Sequence, residues 1–206
     1  MVRSGISCFK RRLVFVCVIP LLFLGMCQTY VLGGLAKVEK TGQIISHSAG
    51  DDGDLKKGVK WPKPRFVDNG NGTVTDRLTK LIWLKNANAF DVRTWVQALS
   101  DANTLASGSH GLTDGSKAGD WRLPNVKELQ SLIDFAYYNP ALSNAVGTGQ
   151  WTSGDAFAGV QSYSYWSSTT YAGNLTYAWR VGLYGGVVGY GGKADGGYVW
   201  PVRAGK

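Results

Sequence analysis

Cysteine, histidine and glutamate are scarce where site chemistry would need them. All three cysteines, Cys8, Cys17 and Cys27, lie in the first 36 residues. Beyond them the chain has no means to form a disulfide, a thiol nucleophile or a thiolate metal site. The only histidines are His47, in a polar stretch, and His110, in a Gly-rich loop, and no Gly-x-Ser-x-Gly elbow is present. A Ser–His–Asp hydrolase needs a placed histidine, and zinc needs more ligands than these. Glu39 and Glu128 are the only glutamates; Glu128 is accounted for as a helix cap, and a glycosidase carboxylate pair stays open. Charged residues make up 17% of the chain, too few for a disordered acidic or basic tail once the eight Trp and ten Tyr are considered. The 28 glycines follow no Gly-X-Y period, which excludes collagen. Neither Gly70-Asn71-Gly72 nor Gly147-Thr148-Gly149 opens a helix, so neither reads as a phosphate loop.

Residues 1–36 read as a secretory signal peptide. Arg3, Lys10, Arg11 and Arg12 form a basic region, Leu13 to Cys27 an apolar run, and Gly34-Leu35-Ala36 the small residues at a cleavage site. The rival reading is a membrane anchor, but fifteen residues at 1.5 Å each fall short of a ~30 Å hydrocarbon core. A lipoprotein signal at Cys27 is disfavoured by Met26, and a twin-arginine signal at Arg11-Arg12 by its flanks. The expectation is export to the periplasm, cell surface or extracellular space, with no membrane contact after leader removal. Removing the leader leaves 18 basic against 14 acidic residues, a charge of +4. That is too mild for nucleic-acid binding but tolerates an anionic polysaccharide.

Residues 37–60 read as a polar lead-in, extended or loosely ordered, and 61–206 as the domain. Trp61-Pro62-Lys63-Pro64 is stiff punctuation between them. β-prone runs around Asp68-Asn69-Gly70-Asn71-Gly72 predict a hairpin, and Leu81 to Leu84 a buried strand. Asp91 is the expected N-cap of a helix with the stripe Val92, Trp95, Val96, Leu99, Ala102 and Leu105. Trp121 to Pro124 reads as a short strand with Trp121 in the core. Asn125 and Glu128 then form a capping box before the stripe Val126, Leu129, Leu132, Ile133 and Ala136. Residues 164–170, 177–183, 187–190 and 198–203 are β-like runs between Gly turns, the pattern of an antiparallel sheet. The fold class is α+β: two helices packed on short antiparallel strands with long Gly-rich loops.

Ten Tyr and Trp residues fall between Tyr163 and Trp200. Some must fill the core, yet strand alternation cannot bury them all. Exposed Tyr, Gly and Ser make an adaptable binding surface, and Tyr and Trp offer flat area for sugar rings. Alternation puts Trp179, Val181 and Leu183 inward with Val199. Arg180, Tyr184, Tyr198 and Trp200 then face outward and, with Lys193, form the candidate ligand face. Arg180 and Lys193 supply cations for an anionic sugar. The alternative for Trp200 is packing on a loop or on a second copy of the chain, which leaves a homo-oligomer open. Asp51, Asp52, Asp54, Asp68, Asn71 and Asp76 are oxygen donors, but their spacing misses a calcium loop. No metal and no cofactor is expected.

Four stretches resemble a known family. Phe66-Val67-Asp68-Asn69-Gly70-Asn71-Gly72-Thr73-Val74-Thr75-Asp76 with Thr79 and Leu81-Ile82-Trp83, then Asp120 to Leu129, Tyr165 to Thr169, and Pro201-Val202-Arg203 are similar to the ordered signatures of the bacterial Lcl C-terminal domain family. The resemblance spans about Lys40 to Arg203. It implies a C-type lectin-like fold, shared with the formylglycine-generating enzymes and with variable proteins of diversity-generating retroelements. It also implies a non-enzymatic, adhesin-like role, since the name-giving member binds sulfated polysaccharides. The partner expected is a glycan or, in the alternative, a cell-surface protein bound by loops that a retroelement diversifies. A third reading is a hydrolase or oxidase of the same fold. Trp200 stands where the family commonly has Arg. The cysteine chemistry of the formylglycine branch has no cysteine here after the leader, and the Glu-Pro-Asn and Trp-Asn-Asp motifs of calcium-dependent lectins are absent.

Overall fold

β-Prone residues on both sides of an Asn-Gly turn pair with each other, and that hairpin starts the domain. The computed structural model describes residues 38–204, so the leader expectation lies outside the described residues. Strand β1 (Phe66–Asp68) pairs antiparallel with β2 (Thr73–Asp76), Val67 opposite Thr75. Gly72 turns the chain at φ 83°, and a Cβ there would stand 2.3 Å from the Gly111 carbonyl, so only glycine fits. Strand β3 (Leu81–Leu84) continues the meander.

The second half of the chain builds a separate sheet. Strands β4 (Val92–Arg93), β5 (Ser164–Thr170), β6 (Tyr177–Gly182), β7 (Val187–Gly192) and β8 (Gly197–Tyr198) lie in the order β4-β8-β5-β6-β7. All its pairings are antiparallel except β5 with β8. The last strand, β9 (Val202–Ala204), leaves this sheet and closes the first one against β3, giving the order β1-β2-β3-β9. The run expected as one strand over 198–203 is therefore two strands in two sheets. The fold is α+β with few helices and mostly antiparallel strands.

Helix α1 (Asp52–Leu55) lies in the lead-in, capped by the Asp51 carboxylate, which accepts from the backbone N–H groups of His47, Ser48 and Asp54. These bonds pull the Asp51 carboxyl down to about 2. Helix α2 (Trp95–Thr104) starts three residues later than expected. Asp91 sits at φ 53° and Val92 and Arg93 join β4, so Thr94 is the N-cap, with Gln97 Oε1 accepting its backbone N–H. Its buried face is Ala98 and Ala102, while Val96 is 65% exposed. Helix α3 (Val126–Gln130) carries the expected box: Asn125 Oδ1 accepts from Lys127 and Glu128 N–H, and Glu128 Oε2 accepts from Asn125 N–H. Arg122 clamps Glu128 with two bonds of 2.8 Å and, despite the burial, holds its carboxyl below the usual range.

Between the sheets, Trp83, Trp200, Phe157 and Tyr165 meet edge-on or tilted at 4.9–5.7 Å, all essentially inaccessible. Trp121 is equally buried; its Nε1 donates to Ser116 Oγ, and the Arg203 guanidinium lies 5.3 Å over its ring. Arg65 is buried too. Its Nε and Nη2 donate to the two Asp76 carboxylate oxygens at 3.4 and 3.3 Å, Nη2 also reaches the Ser131 carbonyl, and Trp61 stacks on it at 4.3 Å. The lead-in has a defined path against this hub. Glu39 bridges Val59 and stands 3.9 Å from Arg65, and the Thr41 carbonyl accepts from Phe135 N–H. Burial pushes the Glu39 carboxyl up to about 7, Arg65 pulling it down less because that guanidinium is bonded to Asp76.

Trp121→Ala is expected to cost roughly 3–5 kcal/mol, as large core truncations do. Asn125→Ala should cost about 1 kcal/mol, as cap losses do; urea melts of the two variants check both. A second expectation concerns pH. The folded state holds the Glu39 proton more tightly than the unfolded chain, whose carboxyl titrates near 4.5. That contribution is complete below about pH 4.5 and is lost as pH rises through about 7. Asp134, raised by its burial, acts in the same direction. Urea midpoints should fall from pH 5 to pH 7, and Glu39→Gln should flatten the slope.

Candidate functional site

The five residues expected on one face do not share it. Arg180 and Tyr198 come together around a cavity of about 320 Å³ with Val92, Tyr163, Ser164, Gly196 and Gly197. The Arg180 guanidinium lies 5.8 Å over Trp166 and against Gly191, where a Cβ would be 2.7 Å from it. Tyr198 stacks with the exposed Tyr163 at 6.1 Å and tilts on buried Tyr165 at 5.6 Å. Lys193 is committed elsewhere: its Nζ donates to Thr170 Oγ1 at 2.9 Å and sits 3.9 Å over the Trp95 ring. Tyr184 lies past the end of β6, half-exposed and edge-on to Tyr138 at 4.4 Å, and its nearness raises the Tyr138 hydroxyl above its usual range.

Trp200 is not at the surface at all. The expectation of an outward Trp200 is corrected by its 0% exposure and by its Nε1, which donates to the Leu84 carbonyl at 2.9 Å. The reason is that β8 ends at Tyr198, so residues 199–201 cross between the sheets and alternation does not govern them. Val199 is buried as expected and Tyr198 beside it stays part-open at the cavity, but the pattern fails at Trp200.

Trp179, which sequence parity placed inward, belongs instead to a half-open aromatic cluster. Trp179 pairs across the hairpin with Tyr190, and Tyr177 with Gly192. Tyr171 and Tyr190 stack at 4.2 Å with their planes 4° apart. Trp179 stands edge-on to both at 5.5 and 5.8 Å, and Tyr177 edge-on to Tyr190. Tyr190 is 49% exposed. Val181 on the same strand face is fully buried, so this face is core at one end and open at the other. The density of Tyr between 163 and 200 was the available signal; parity says which residues share a face, not where the core stops.

The oxygen donors between Asp68 and Asp76 are spent. Asp68 accepts from Lys85 Nζ at 2.6 Å and from Gly70 N–H, Asn71 from Thr73, and Asp76 from Arg65, Leu78 and Thr79. The Lys85 bond holds the Asp68 carboxyl below its ordinary value. Among the described residues no three of His, Cys, Asp and Glu gather to hold a metal ion, and no helix is long and apolar enough to cross a membrane.

A family model for the Lcl C-terminal domain matches residues 72–203, and the chain belongs to that family. The comparison with curated proteins gave no match.

Trp200→Ala is expected to behave as a core truncation, costing roughly 3–5 kcal/mol in a urea melt. Tyr190→Ala, at an exposed position, should stay within about 1 kcal/mol of the parent in the same measurement.

Proposed function

We propose that the chain is an exported, non-enzymatic binding protein of C-type lectin-like fold that recognises glycans at a cell or matrix surface, sulfated polysaccharides among them. The observation that carries this reading is the Tyr171–Tyr190 stack with Trp179 edge-on, held half-open at the end of the second sheet. Such rings offer flat apolar area beside a hydrogen-bonding hydroxyl, which is what a sugar ring presents in return. On the opposite face of β6, Arg180 beside Tyr198 supplies a separate contact, a planar donor fork for a sulfate or carboxylate. Export rests on the basic and apolar composition of residues 1–36.

A protein ligand is the second reading, favoured by Leu175 and Val187, which are 72% and 69% exposed near the same hairpin. An array of neutral and sulfated saccharides separates the two. On the first reading the protein binds saccharides, and Trp179→Ala and Tyr190→Ala each weaken binding about tenfold, ~1.4 kcal/mol. Binding should survive EDTA, because the oxygen donors of the Asp68–Asp76 loop are engaged and no metal-holding group of His, Cys, Asp or Glu gathers among the described residues. Failure to bind any saccharide overturns the glycan reading, and loss on chelation restored by calcium overturns its metal independence.

A further inference from the structure

A second cavity, of about 190 Å³, lies between the lead-in and the domain and has a different chemistry. Lys40, Lys56, Lys60 and Lys63 line it, together with Trp61 and Tyr137. Asp134, 2% exposed, is the one acidic residue in its wall. Among the described residues none of these four lysines enters an ion pair, while Lys85 and four arginines do. Cations gathered around one partly enclosed space repel one another, and the local field favours an anion. The turn that brings two of them round is specific: Lys56 sits at φ 48° as the C-cap of α1, its N–H donating to the Asp52 carbonyl.

We propose that this cavity binds a small oxyanion group of sulfate or phosphate type. The lysines supply point charges without fixed geometry, suited to a tetrahedral anion, and Trp61 and Tyr137 supply apolar wall for whatever carries it. All four lysines precede the family-matched residues, while Asp134, Tyr137, Gly147 and Thr148 of the wall lie within them. Because its walls come from both parts, bound anion ties the lead-in to the domain by mass action. The inference is independent of the glycan reading, which rests on the second sheet.

The test is calorimetric titration of the full chain with sodium sulfate and sodium phosphate, ionic strength being held constant with sodium chloride. Saturable binding is expected, with a higher melting temperature than in matched chloride. Lys56→Ala/Lys60→Ala, at two exposed positions, should weaken binding at least about tenfold and leave the anion-free melting temperature unchanged. Lys56→Arg/Lys60→Arg should restore it, and Arg180→Ala should have no effect. Phenyl phosphate separates the sources: tighter binding than inorganic phosphate places a ring on Trp61 and Tyr137, and equal binding places the free ion there. No saturable binding, equal binding by the double alanine variant, or loss in Arg180→Ala instead overturns the proposal.

Discussion

The buried pairing of Arg65 with Asp76 is the constraint on which the rest of the structure hangs. Arg65 enters at the start of β1 and Asp76 closes β2, so the pair fixes the hairpin from inside. Its remaining contacts reach the Ser131 carbonyl at the end of α3, the Trp61 ring and Glu39 of the lead-in. Removing two charges from water is expensive, and hydrophobic residues of equal volume often serve stability as well. Removing one partner is worse, because it strands the other charge in the interior. Asp76 also accepts from Leu78 and Thr79, so its oxygens are satisfied by the turn that leads into β3. One ion pair thereby specifies the relative placement of hairpin, helix and lead-in, which non-directional burial would leave loose.

Around that hub the two sheets are assembled by large aromatics and small glycines used together. Trp83, Trp200, Phe157 and Tyr165 fill the space between them. On the second sheet Gly191 and Gly197 leave room for Arg180 and for the Trp166 indole, where a Cβ would stand 2.7 and 2.6 Å away. Trp166 and Trp95 each donate their indole N–H across to backbone carbonyls, of Arg93 and Ser167, which binds β4 and α2 to β5. Rigid placement of this kind lets the Tyr171–Tyr190 stack remain half-open without collapsing inward.

The two candidate surfaces differ in chemistry and in origin. The aromatic end of the second sheet lies within the family-matched residues and presents stacked, half-open rings. The lysine-lined cavity draws on residues ahead of them and suits a compact anion.

Local patterns settled most of the elements. The Asn-Gly hairpin, the Asn125–Glu128 box and strand β5 are each specified by residues within a few positions of one another, and turn, cap and strand preferences act at that range. The α2 start was misplaced because Asp91 and Thr94 both suit an N-cap, and only the pairing of Val92 with Tyr198 decides between them. The same holds for the site. The richness in Tyr and Trp announced a binding surface, but which rings stay open depends on where the core ends along β6. The burial of Trp200 depends on the chain crossing from one sheet to the other after Tyr198. The four lysines carry no shared spacing that marks them as a group. Their gathering is a consequence of the lead-in folding back onto Arg65, a contact between residues far apart in the chain that no local pattern encodes.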